Sequence, residues 1–338
     1  MRRWFEKVTA LFDEREKPTV LALIRILVAL TVVYDLVVVG LLDVPVWLWA
    51  PIDQGGVSPT ATRESAAWFY KVFSSTPDSA MTLYIGMLVS AALFGVGLFT
   101  RASAVVFVLL SAQSSILNDV GDRGIDRAIR IVILILACSA AGRAYSVDAR
   151  IRTGSFLGDG ALVAAWPRHL VLCQLVIMYT AAGLSKSATL WLPWGGHGAL
   201  YVILNEPIYA TRDFGFLAHP VLYFFTQVGT ASSRTWELLS PVVLLAAHYR
   251  RTPDGPGRLR EFMNRYPVRT IYVAFGVAFH VLLALTLKLG IFPWSMLAFF
   301  PAFFRPDEIE TAFARLRARL SRKAAPAEPS TETPEPAP

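Results

Sequence analysis

The chain is poor in charge and almost without cysteine. Only 17% of its 338 residues are Asp, Glu, Lys or Arg, against roughly 25% in soluble domains. That shortage argues against a soluble globular fold. It also argues against nucleic acid as a partner, because the basic residues behind the net charge of +7 sit between apolar runs rather than on one face. The two cysteines, Cys138 and Cys173, lie inside apolar runs with no CxxC spacing. They read as structural thiols, not as a disulfide framework or metal ligands, and no metal is expected. No convincing internal repeat is present, which disfavours a carrier built from duplicated halves. No cleavable signal is expected, since the charged first 19 residues lead into a full-length apolar run. No soluble catalytic domain is expected before or after that apolar region.

What the chain has in abundance is hydrocarbon. Apolar residues make up 54% of it and mean hydropathy is +0.48, with the apolar residues gathered into runs of the length that crosses about 30 Å of lipid. The expected fold is an all-α, polytopic transmembrane bundle of about eight spans. They fall near 20–41, 80–100, 102–117, 128–142, 169–187, 235–249, 270–288 and 289–304, of which the third, fourth, sixth and eighth are short. The stretch 216–228 is apolar but too short to cross alone. It reads as a re-entrant or interfacial piece, or as an N-terminal extension of the sixth span.

Charge supports that count. With both termini inside, the inner segments carry 22 Lys and Arg and the outer segments seven, as the positive-inside rule requires. Trp47, Trp49, Trp191, Trp194 and Trp294 all fall at outer ends, as an interfacial belt would. The expected location is a cell inner membrane, crossed several times, with lipid as the first partner. The expected domains are a cytoplasmic segment 1–19, the membrane domain 20–305, a basic cytoplasmic segment 306–323 suited to anionic lipid, and a disordered Pro/Ala/Glu-rich tail 324–338.

Polar residues at membrane depth are the candidates for function, because a charge there is costly and usually has a partner or a task. Asp35, Asp126, Arg130, Lys186, Glu237 and His280 all fall in the centre-to-outer half of the membrane. Two readings stand side by side. In one, the charges only hold spans together, Asp126 pairing with Arg130 four residues on and Glu237 with Lys186. In the other, Lys186 and His280 share a proton-handling pocket, where desolvation would disfavour the charged lysine and leave a usable base near neutral pH.

Several ordered segments resemble the HTTM (horizontally transferred transmembrane) family, whose founding relatives are the vitamin K-dependent gamma-glutamyl carboxylases. They are Arg25 to Asp35, Gly97-Leu-Phe-Thr-Arg101, Gly124-Ile-Asp-Arg-Ala-Ile-Arg130 with Tyr145-Ser-Val-Asp148, Tyr179-Thr-Ala-Ala-Gly-Leu-Ser-Lys-Ser-Ala-Thr-Leu-Trp191, and Phe279-His280 with Gly290-Ile-Phe-Pro293. The resemblance implies a base at Lys186 that deprotonates a reduced quinone of the vitamin K or menaquinone type, with His280 in the same pocket. It puts Asp126 where the carboxylases carry a histidine. On that footing the candidate catalytic residues are Lys186, His280 and Asp126, and the candidate quinol-binding residues are Tyr179, Arg130 and Glu237. The chain departs from the carboxylases at Ser185, where they have the first of two consecutive lysines. No large lumenal domain is expected after the last spans, which argues against a peptide acceptor.

Overall fold

The computed structural model describes residues 13–58, 68–251 and 256–324. Ten helices build the frame: α1 (Thr19–Leu41), α2 (Pro77–Val96), α3 (Thr100–Leu117), α4 (Gly124–Ala137), α5 (Trp166–Ser185), α6 (Pro220–Leu238), α7 (Ser240–Arg251), α8 (Val268–Thr286), α9 (Phe292–Phe299) and α10 (Pro306–Ala324). Shorter turns of helix connect them. The one sheet among the described residues pairs two residues with two, Arg15–Glu16 against Val163–Ala164. The fold is all-α.

Local chemistry sets where these helices begin and end. Thr76 caps α2 by accepting from Ser79 N at 3.2 Å, with Pro77 at the first helical position. The same helix stops at Gly97, in the left-handed region at φ +74°. Asp126 reaches back to the backbone N–H of Arg123 at 2.9 Å and so starts α4. Proline opens α5, α6 and α9.

Five helices, α1, α2, α3, α5 and α8, are long and apolar enough to cross a membrane. They coincide with the expected first, second, third, fifth and seventh spans. The other three expected spans are built from shorter pieces. α4 has 14 residues and ends at Ala137. The run 235–249 is broken at Leu239, between α6 and α7. The run 289–304 is α9 extended by a 3-10 turn, Phe300–Phe303. The stretch 216–228 is the 3-10 turn Gly215–Ala218 followed by the first half of α6. Large apolar side chains such as Leu30, Ile85, Ile177, Leu282 and Phe225 are exposed on the outside of the bundle, as a lipid-facing surface requires.

α1 is the hub, packed against α2, α4, α5, α9 and the turn Phe300–Phe303. Its Arg25 is completely buried. The guanidinium donates to Ala141 O at 2.6 Å, Ala144 O at 3.4 Å and Tyr145 O, so the carbonyls after α4 are tied to the central helix. Beside it, Asp148 accepts from Phe99 N, Thr100 N and the Thr100 hydroxyl at 2.9, 2.8 and 2.6 Å. Burial works to raise the Asp148 pKa, but the Thr100 hydroxyl and backbone donors outweigh it and hold the carboxyl below its ordinary 3.8.

This end of the molecule also gathers residues 13–18 and the start of α10. Arg168 pairs with Glu16 at 2.7 Å, and Lys17 with Glu310 at 2.5 Å. The first described residues and α10 therefore meet at one end of the bundle. The expected tail, 324–338, falls almost wholly outside the described residues. The opposite end holds residues 43–58, 118–123 and 186–219.

Two outcomes test this end. Gly97→Ala puts a Cβ 2.4 Å from Ser146 Cβ and 3.0 Å from the Arg25 guanidinium, at φ +74°. It should destabilise by more than about 1 kcal/mol, seen as a lower melting temperature in detergent. Since folding depresses the Asp148 pKa, its stabilisation is complete above pH 3.8 and is lost as the pH falls below that value toward the folded pKa. The melting gap between wild type and Asp148→Asn should therefore be constant near neutrality and shrink below about pH 4. A gap that widens on acidification would contradict this.

Candidate functional site

The six candidate residues occupy two places at the end of the bundle opposite Arg25. Lys186, Glu237, Tyr179 and His280 lie where α5, α6 and α8 meet. Asp126 and Arg130 lie on α4 beside a cavity bordered by α1 and α3.

Lys186 follows the last residue of α5, and its ammonium reaches both Glu237 oxygens, at 2.6 and 2.5 Å. The carboxylate side chain is 5% exposed and the lysine 20%. Two neighbours fix the lysine further: the Trp191 ring, whose centroid is 5.2 Å from the ammonium, and Arg234, which donates to the Lys186 carbonyl at 2.9 Å. Close approach of the two helices depends on Gly183, where a Cβ would stand 2.9 Å from Leu238 Cγ and 3.0 Å from its backbone N.

Tyr179 sits two turns before Lys186 on α5. Its hydroxyl is 3.3 Å from His280 Nε2, and His280 Nδ1 is 2.7 Å from the Gly276 carbonyl. A carbonyl only accepts, so Nδ1 carries the proton, Nε2 bears the lone pair, and Tyr179 donates to it. The histidine is fully buried among the rings of Trp236, Phe279, Phe292 and Phe300. Trp236 stacks on Tyr272 and meets Tyr179 edge-on, with centroids 4.8 and 4.6 Å apart. In this arrangement His280 orients a tyrosine rather than facing open space.

The cavity beside α4 has a volume of about 220 Å³. Its polar wall comprises Asp35, Asp122, Arg123, Asp126 and Arg130, with Ser111, Ser114 and Ser115 of α3. Here the expected Asp126–Arg130 pair is corrected. Arg130 donates instead to Asp122, at 2.8 and 2.9 Å. Asp126 pairs with Arg123 at 2.8 Å, and Arg123 also bridges to Asp35 at 2.6 Å. The reason is direction. Asp126 lies in the first turn of α4, where its carboxylate turns back to the N-terminal backbone and the preceding arginine. Arg130 extends toward the loop before the helix, where Asp122 meets it. Burial works against ionised Asp122, yet Arg130 and Arg127 hold its pKa below the usual range. Among the described residues no group of three or more His, Cys, Asp or Glu is placed to hold a metal ion.

Sequence reasoning missed Asp122, Arg123, Trp236 and Tyr272. The signal for α6 was there to be read. Its buried face is Thr226, Thr230, Ser233, Trp236 and Glu237, while Val221, Phe224, Phe225 and Val228 are exposed. That is a polar stripe at helical spacing with the apolar side turned outward, the inverse of a soluble helix.

A double-variant cycle measures the Lys186–Glu237 pair. Glu237→Ala strands the ammonium and should cost about 3–5 kcal/mol. Adding Lys186→Met should restore most of the loss in thermal melting. A double variant no more stable than the single one would mean the two charges are not coupled.

The sequence matches the HTTM domain over residues 14–201, which takes in α1 to α5 and Lys186. The partners Glu237 and His280 lie beyond the matched stretch. No curated protein and no solved structure matches the chain.

Proposed function

The chain belongs to the HTTM domain family, and from that premise we propose that it is a carboxylase-like enzyme of the inner membrane acting on a lipid-soluble reduced quinone. The observation that supports this most directly is the Lys186–Glu237 pair, an ammonium held 2.5 Å from a carboxylate that is almost wholly buried. A charged lysine has no lone pair and is not a base. In a site that excludes water, transfer of one proton from the ammonium to the adjoining carboxylate removes both charges and leaves a free amine. Glu237 is therefore the group that makes Lys186 usable.

The surroundings suit an aromatic ring with a hydroxyl group. Trp236, Tyr272, Phe275 and Phe279 form an aromatic wall beside the pair, and Phe275 is 38% exposed on the lipid side. A reduced quinone supplies, when bound, an acidic phenolic O–H and the electrons that oxygen takes. Lys186 Nζ accepts the proton, Glu237 holds the one it received, and Trp191 covers the ammonium face. Tyr179, kept in place by His280, borders the site from the next turns of α5. His280 is thus a positioning residue in this reading. Asp126 and Arg130 belong to the neighbouring cavity and shape the outer end without touching the pair.

One observation favours a second reading, in which the same charges are architecture. Lys186, Tyr179, Asp126 and Arg130 each already have a partner within the protein. The two readings separate on quinone epoxide formation by purified protein in lipid, supplied with reduced menaquinone and oxygen. The enzyme reading expects epoxide from wild type and none from Lys186→Ala. Lys186→Arg should be equally silent despite keeping the charge, because a guanidinium does not give up its proton. No epoxide from folded wild type, or activity retained by Lys186→Arg, would sink it.

A further inference from the structure

Two of the family-like segments take no part in the chemistry above, and they meet at the other end of the bundle. Gly97–Arg101 opens α3, and Tyr145–Asp148 leads into the short helix Val147–Thr153. Asp148 joins them through its bonds to Phe99 and Thr100. Between them is a cavity of about 420 Å³ lined by Phe99, Arg101, Ser139, Arg143, Asp148 and Arg152, among others.

Three arginines face this cavity against a single carboxylate, and that carboxylate is already engaged by three donors. The arginines are only partly occupied. Arg101 Nε donates to Ser139 O at 3.2 Å, one nitrogen of Arg152 donates to Arg143 O at 3.0 Å, and one nitrogen of Arg143 pairs with Asp159 at 3.0 Å. Each guanidinium has five N–H donors, so most of the set remains available to an anion. Phe99, which lines the cavity, is apolar and 69% exposed. Above the mouth, Val105 and Leu109 of α3 and Leu134 of α4 are exposed along the flank of the bundle. The recess lies at the start of α3, a helix long and apolar enough to cross a membrane, where a cationic site beside exposed apolar side chains suits a lipid headgroup.

We infer that this cavity is a headgroup site for an anionic phospholipid, its phosphate seated among Arg101, Arg143 and Arg152 and its acyl chains lying along α3 and α4. A guanidinium fork matches phosphate oxygens in a way an isolated surface lysine does not. Charge complementarity selects an anionic over a zwitterionic lipid, and the continuous apolar flank selects a lipid over a free ion. The site stands apart from the outer-end chemistry and does not depend on it.

The test uses the full chain, purified in detergent and offered phosphatidylglycerol or phosphatidylcholine. Retained lipid is measured by native mass spectrometry and stabilisation by thermal melting. Wild type should retain phosphatidylglycerol selectively and melt higher with it. Arg143→Gln with Arg152→Gln should weaken retention roughly tenfold while melting like wild type without lipid. Arg152→Glu, at an exposed position, should lose retention by itself. Arg258→Gln with Arg265→Gln, at the same end but outside the cavity, should bind as wild type does. Equal retention by the cavity variants, or equal loss in the Arg258/Arg265 control, would overturn the site in favour of diffuse surface charge. Stabilisation by inorganic phosphate equal to that by phosphatidylglycerol would overturn the assignment to lipid.

Discussion

A fully buried guanidinium on the central helix is the constraint around which the rest of the bundle is arranged. Arg25 cannot be left without acceptors in the interior, where an unpaired charge is severely penalised. Its acceptors are backbone carbonyls of Ala141, Ala144 and Tyr145, which belong to the chain just after α4. That segment is therefore drawn against α1, and with it the Asp148 carboxylate that starts α3. One side chain so fixes three helices at one end. The close approach is allowed by Gly97, whose missing side chain leaves room for the guanidinium.

At the opposite end side-chain ion pairs join the helices. Arg123 ties Asp35 of α1 to Asp126 of α4, and Arg130 ties α4 to Asp122 in the preceding loop. Lys186 and Glu237 join α5 to α6. Backbone carbonyls and arginine pairs make fixed clamps, whereas a lysine–carboxylate pair can exchange a proton. The inward polar face of α6 meets the segment 186–204, with Thr230 accepting from Leu200 N and Gln227 donating to Gly196 O.

Much of the architecture was legible because a membrane imposes length and composition together. The runs that became α1, α2, α3, α5 and α8 are long, apolar and bounded by charge or by turn residues, so their existence did not depend on neighbours. The runs that became α4, α6–α7 and α9 were legible only as apolar segments. Their lengths were decided by where backbone groups found partners, at the Asp126 turn, at Leu239 and at the Phe300–Phe303 turn. Of the candidate pairs, Lys186 with Glu237 could be anticipated as two opposite charges at one depth. Asp126 with Arg130 could not be checked by spacing, since side-chain direction and the nearby Asp122 and Arg123 decided the partners.

The sequence by itself determined that this is an all-helical HTTM membrane protein with its polar residues concentrated at the ends of apolar runs. Hydropathy, span length and the ordered motifs are properties of contiguous residues, and contiguous residues are what a sequence displays. Only the tertiary structure decided that the six candidate residues divide between the junction of α5, α6 and α8, with four of them, and a separate cavity, with two. It also decided that His280 faces Tyr179, and that two distant motifs enclose a basic recess. Those relations join residues tens to more than a hundred positions apart, and they depend on helix packing and side-chain direction, which no spacing along the chain encodes.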